Sequence, residues 1–307
     1  MKKNYIGITG FTEKTQVLDT MNFIKDINSK KNYMFGFLVS SKTINFTETK
    51  NKRYLNFKNF KELKELMEFS SNRENIVNML HFNTSKRDFF EELKPLLLEL
   101  GDCVEAIQFN LGFIEIEEYK KLRKEFPNIK FLFQLNEGLK KKYSIDFLRE
   151  TLKDIEFEYI LIDASGGRGK TFEPKTLKEI YETLELNKLN INVGIAGGLS
   201  GDNVKETINE LNKLNIDYFI DAESRLRDKI SEATGDDVWN QEKENKYISS
   251  SIILTIWKFF INLNYKENMI IINKEEIINK IKSNLLYIDI CKLHINNNCG
   301  LAKIIEW

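Results

Sequence analysis

Three features of the chain predict a closed α/β barrel, the (β/α)8 TIM barrel, followed by a C-terminal extension. Short apolar runs alternate with amphipathic stretches in which leucine, isoleucine and phenylalanine recur every three or four residues, and the alternation repeats eight times. Polar residues gather at the C-terminal ends of the apolar runs and thin out within them, as they do where the ends of barrel strands surround a ligand. Two neighbouring runs, the sixth and the seventh, also end in paired glycines.

The strand candidates are 5–9, 33–39, 76–82, 104–109, 130–135, 159–163, 192–196 and 218–221, each too short and too apolar for a surface helix. Helical spacing runs over 14–27, 60–69, 86–100, 114–126, 144–154, 176–186 and 202–214. Two connections exceed the usual βα turn. Segment 40–57 is polar and carries Lys42, Lys50, Lys52 and Arg53, which suggests a mobile loop over the strand ends; segment 222–239 follows the last strand and is rich in charge. The apolar run 252–263, interrupted by Lys258, is shorter than the roughly 20 residues needed to span a bilayer and reads as a buried helix. Residues 1–263 are therefore assigned to the barrel. Residues 264–307, with a helical pattern at 274–286 and a strand candidate at 286–293, are expected to pack on it, because no low-complexity linker precedes them.

Composition narrows the function. The 46 basic and 46 acidic side chains cancel, so no basic footprint argues for nucleic acid, and 42% hydrophobic residues suffice for a large core. Cys103, Cys291 and Cys299 form neither a disulfide framework nor a zinc knuckle. The N-terminus turns polar too soon for a signal peptide, and a cytoplasmic location without membrane association is expected. With His81 and His294 as the only histidines, a histidine-rich metal site is excluded, whereas an all-carboxylate magnesium site stays open. No metal and no cofactor is assigned, and the oligomeric state is left open.

The glycine pairs point to an anion. A phosphate needs several backbone N–H groups at close range, and a Cβ would block that approach or forbid the backbone angles it requires. The first loop offers Gly166, Gly167 and Gly169 around Arg168, with Lys170 beside them; the second offers Gly197 and Gly198, followed by a helix start with Ser200 or Asp202 as its cap. Ala222, past the eighth strand, adds a further backbone donor. The plainer alternative is that these are ordinary turn glycines. The strand-end rule collects Thr9, Ser40, His81 to Asn83, Gln108, Asn110, Gln134 to Asn136, Asp163 and Asp221 to Glu223.

Several of these ends resemble those of phosphoribosylanthranilate isomerase, an enzyme family of tryptophan synthesis. Gly7-Ile8-Thr9, Gly36-Phe37 through Ser41-Lys42, and 104–108 are similar to its first, second and fourth strands; 161–172, Ala196-Gly197-Gly198-Leu199 and Asn203-Val204 match its sixth and seventh more closely. The likeness spans about residues 4–230 and extends loosely to the eighth strand. It implies an Amadori rearrangement with a cysteine as general base and an aspartate as general acid. Asp163 stands at the aspartate position, but Ile6 stands at the cysteine position. The family's arginine after Gly-Ile-Thr is Gly10 here, and its histidine near the fourth strand end is Asn110. The resemblance also equates Lys42 with a loop position that contacts the anionic substrate. A retained phosphate grip with altered chemistry is the reading that follows.

Asp163 suits a proton carrier at the barrel mouth, or else a cap on the amides of 165–167. His81 is a base for neutral pH if it faces inward, and inert if it faces the helices. Arg168, Lys170 and Lys42 suit an anion, or are solvated. Glu223, with Arg225 and Arg227, either closes on the ligand or forms surface ion pairs. The expected function is an enzyme acting on a phosphorylated small molecule, a sugar phosphate or phosphoribosyl compound, by proton transfer through Asp163. The substrate contacts are Gly166, Gly167, Arg168, Gly169, Gly197, Gly198, Ala222, Glu223, Lys42, Thr9 and Gln108. Alternatives are a catalytically silent phosphometabolite binder with a regulatory role and, ranked below it, a true phosphoribosylanthranilate isomerase with a substitute base such as His81.

Overall fold

The structure, a computed structural model, describes residues 4–49, 51–163, 174–230 and 236–252. Eight parallel strands in sequence order close into a barrel. They are β1 (Tyr5–Thr9), β2 (Asn32–Ser40), β3 (Ile76–Asn83), β4 (Ala106–Phe109), β5 (Lys130–Leu135), β6 (Tyr159–Asp163), β7 (Asn192–Ala196) and β8 (Tyr218–Ala222). Closure is made by β1 on β8, where Gly7 lies opposite Asp221. β4 begins at Ala106, two residues later than the apolar run suggests, because the amide of Val104 closes a turn onto the carbonyl of Gly101.

Period-2 alternation sorts each strand into two faces. Tyr5, Met34, Val77, Met79, Ala106, Leu132, Tyr159, Leu161 and Phe219 fill the barrel interior. Ile6, Ile8, Phe35, Phe37, Ile107, Phe109, Phe131, Phe133, Ile160 and Ile162 face outward into the larger cluster shared with the helices. Inside, Gly194 has no alternative to glycine, since a Cβ there would lie 2.0 Å from the Phe219 ring.

The helical layer contains Lys14–Asp26, Phe60–Glu68, Phe89–Leu100, Ile116–Glu125, Ile145–Asp154, Pro174–Thr183 and Val204–Asn212. Asn59 and Ser144 cap two of these, accepting from the amides of Glu62 and Phe147. Before Val204–Asn212 the cap position is Asn203, not Ser200 or Asp202. Its side chain accepts from the Ser200 amide and donates to the Gly198 carbonyl, pinning the loop after β7.

The described residues of both long connections are held by specific contacts. After β2, the turn Ser41–Ile44 is capped by Ser40, and Leu55 and Phe57 are buried. After β8, β9 (Arg227–Lys229) and β10 (Asp237–Trp239) pair antiparallel. Asp237 joins the two connections: Arg53 Nε donates to its Oδ2 at 2.7 Å and Arg227 Nε to its Oδ1 at 2.6 Å. Arg227 is thus a buried clamp residue and not a surface ion pair, and its Nη1 also donates to the Gly10 carbonyl. Residues 241–252 are helical. The remainder of the run 252–263 and the extension 264–307 lie outside the described residues.

Candidate functional site

At the C-terminal ends of the strands opens a cavity of about 510 Å³, within the usual range for small-molecule sites. Its floor is a ring of inward-facing polar side chains: His81 from β3, Gln108 from β4, Gln134 from β5, Asp163 from β6 and Asp221 from β8. Asn83, Asn110, Asn136, Lys141, Arg53, Tyr54, Gly197, Gly198, Ala222 and Glu223 form the walls.

Two hydrogen-bonded chains organise the floor. Gln108 Nε2 donates to Gln134 Oε1 at 3.0 Å, and Gln134 Nε2 donates to Asp163 Oδ2 at 3.0 Å. A carboxylate only accepts, so Asp163 orients both amides and directs Gln108 Oε1 to the end of the chain. That oxygen is buried and, among the described residues, lacks a hydrogen-bond partner, an acceptor that a ligand O–H or N–H would satisfy. On the other side, Thr9 Oγ1 donates to Asp221 Oδ1 at 2.8 Å and lies 3.4 Å from His81 Nε2. Having given its one proton to Asp221, the Thr9 hydroxyl is an acceptor for an Nε2–H of neutral His81.

Burial controls the charges here. It lowers the His81 pKa to about 3, so the imidazole stays neutral. His81 therefore faces inward as one reading required, and burial holds its imidazole below the near-neutral range that reading assumed. Burial raises the Asp221 carboxyl to about 8, with the negative charges of Glu223 and Asp163 acting in the same direction. The Thr9 hydroxyl and the Ala222 amide oppose that shift.

The remaining expected contacts fall in different places. Gly197 (φ 112°) and Gly198 (φ 65°) adopt the left-handed conformations that favour glycine, and among the described residues nothing accepts from their amides. Glu223 lines the cavity and pairs with Arg53 Nη1 at 3.0 Å. Thr9, fully buried, sits beneath Asp221 and His81 and not on the cavity wall. Lys42 is exposed on Ser41–Ile44 and does not line the cavity; among the basic residues of that connection, Arg53 does. Gly166, Gly167, Arg168, Gly169 and Lys170 lie outside the described residues. Ile6, which the resemblance equates with the cysteine, faces the helices. Its inward neighbour is Gly7, where a Cβ would meet Asp221 Oδ1 at 2.6 Å.

The strand-end rule collected Asp221 and Gln134, but sequence reasoning gave neither a role. The signal was present: Tyr218-Phe-Ile-Asp221 repeats the pattern of 159–163, an apolar run delivering one carboxyl. Among the described residues no group of three or more histidine, cysteine, aspartate or glutamate side chains is arranged to hold a metal ion, and no helix is long and apolar enough to cross a membrane.

A family model described as N-(5'phosphoribosyl)anthranilate (PRA) isomerase matches residues 115–221, which run from the helix after β4 to the end of β8. Among solved structures, phosphoribosyl anthranilate isomerase from Thermococcus kodakaraensis superposes with a TM-score of 0.52 at 16% identity, over 80% of this chain and 98% of that one. A putative fructose-1,6-biphosphate aldolase from Coccidioides immitis (TM-score 0.48, 11% identity, 83% and 91% covered) and triosephosphate isomerase from Bartonella henselae (0.43, 10%, 73% and 93%) are looser likenesses that carry no argument. A search of curated proteins found no match. The chain is a diverged barrel resembling phosphoribosylanthranilate isomerase.

Proposed function

We propose that this barrel binds a phosphorylated small molecule, a sugar phosphate or phosphoribosyl compound in open-chain form, and moves a proton on it through Asp163. The observation that carries the reading is the coexistence, on one cavity, of a buried carboxyl on the floor and glycine amides on the rim for which no acceptor stands among the described residues. The amides of Gly197 and Gly198 suit the phosphate, assisted by the start of Val204–Asn212. At the end of the adjacent strand β6, Asp163 meets the reacting part of a short carbon chain, and Gln108 Oε1 takes one of its hydroxyl or amine protons.

The test uses inorganic phosphate, ribose 5-phosphate and ribulose 5-phosphate as probes. Binding is expected to raise the melting temperature, and solvent deuterium is expected to enter the pentose phosphates at the carbon beside the carbonyl. Asp163→Asn should retain binding and lose about 10² to 10⁴ in exchange rate. Equal exchange by that variant would remove Asp163 from the chemistry.

A second reading, a catalytically silent phosphometabolite binder, is favoured by one observation: the position equated with the family's cysteine carries Ile6 and points away from the cavity. Binding of the probes without exchange would establish it. Restored growth of an isomerase-deficient tryptophan auxotroph would instead revive the family's own reaction.

A further inference from the structure

We propose that Asp221 is the second acid–base residue of this cavity, presenting a carboxylic O–H to the ligand's carbonyl oxygen across from Asp163. The inference deepens the reading above and rests on it for the ligand's class. Asp221 and Asp163 project inward from β8 and β6, with only β7 between them. β7 contributes nothing bulky at the mouth: Ala196, paired with Asp163 on one side and Asp221 on the other, lines the cavity between the two carboxyls. Gly7 opens the other side, because any side chain there would displace Asp221 Oδ1. Thr9 holds that same oxygen at 2.8 Å as a positioning residue, which leaves Oδ2 as the oxygen to carry a proton.

The groups facing Asp221 argue for the protonated form. Glu223 and Asp163 add negative charge from β8 and β6; Tyr5 below it and Tyr247 from the helix 241–252 are buried phenols; His81 across Thr9 is neutral. Among the described residues no cation forms an ion pair with Asp221: of the two that line the cavity, Arg53 is committed to Glu223 and Asp237, and Lys141 is on the wall after β5. Burial accordingly holds its carboxyl up to about 8.

A carboxyl that can donate its proton, facing a second carboxyl across one cavity, suits a 1,2 proton shift. The Asp163 carboxylate takes a proton from the carbon beside the carbonyl. The C–H electron pair becomes the C=C bond, and the carbonyl π pair moves onto oxygen, which takes the Asp221 proton to give an enediol. In the return half, the neighbouring enediol O–H gives its proton to Asp221 as the new C=O forms, and the C=C pair takes the proton from Asp163. Both side chains end as they began, and no oxidant or reductant is consumed.

The experiment is a carbon-detected NMR titration of the aspartate-labelled full chain. The Asp221 carboxyl resonance is assigned by its loss in Asp221→Asn or, should that variant fold poorly, by its response in Thr9→Val. Asp221 is expected to titrate near pH 8, and removing the Thr9 hydroxyl should move its midpoint upward. Deuterium exchange into ribulose 5-phosphate should fall at least tenfold in Asp221→Asn and lose its decline above pH 8. Titration of Asp221 below pH 5 overturns the proposal, as does an exchange profile in Asp221→Asn matching that of the parent chain at every pH. If Asp221 titrates near 8 and ribulose 5-phosphate binds without exchange, but more weakly above pH 8 in the parent alone, the acid donor stands and the enzyme reading falls.

Discussion

Asp221→Asn isolates what it costs the fold to keep a carboxyl dry beneath the cavity. In the folded chain Asp221 releases its proton near pH 8, against an ordinary value of 3.8. Between those values the folded state holds a proton that the unfolded state has lost, so stability declines as pH rises, by about 1.4 kcal/mol per pH unit. From pH 5 to pH 7 this amounts to roughly 2.7 kcal/mol. Asparagine keeps the shape and still accepts from Thr9, but it never ionises. The variant should therefore match the parent chain near pH 4, gain on it by about 2.7 kcal/mol between pH 5 and 7, and level off above pH 8. Two other buried groups titrate as well. Glu244, raised to about 8 chiefly by burial, makes stability decline with pH in the same window. His81, lowered to about 3, makes stability rise between pH 3 and 6.5 because the unfolded imidazole is the one that binds the proton. Both are common to the two chains and cancel in the difference. Urea unfolding at pH 5, 6, 7 and 8.5, compared pairwise, measures that difference. Parallel stability profiles would mean that Asp221 is ionised in the fold, and the electrostatic account of the floor would fail.

Gly194→Ala drives a methyl into the Phe219 ring, which also stacks on Tyr5 at 4.4 Å. A loss of about 1 to 3 kcal/mol is expected; thermal unfolding checks it, and an unchanged melting temperature would mean the inner layer has slack. Arg53→Ala leaves the buried Asp237 with Arg227 alone and releases the connection after β2. The expected cost is about 1 to 3 kcal/mol, with faster proteolytic cleavage within 41–57; cleavage at the parental rate would show that Leu55 and Phe57 suffice to hold that connection.

Much of the architecture was legible along the chain, because barrel strands buried on both faces must be short apolar runs and their covering helices must repeat every three or four residues. The run 159–163 forms a strand with those same bounds. Direction was harder to read. His81 stood at a strand end whichever face it took, and only the register of β3 against β2 and β4 turned it inward, where burial makes it neutral. Ile6 stood where the resemblance places a cysteine, yet the sequence does not reveal that position 6 faces the helices and that Gly7 faces Asp221.

The sequence by itself determined the class of fold, the carboxyl at the end of the sixth strand and the glycines after the seventh, because periodicity, chain reversal and backbone freedom are local properties. Only the tertiary structure decided which polar groups share a cavity. Thr9 and Asp221 lie 212 positions apart, and Arg53 and Asp237 lie 184 apart. Barrel closure brings each pair into contact, and the exclusion of water that follows sets which carboxyl keeps its proton.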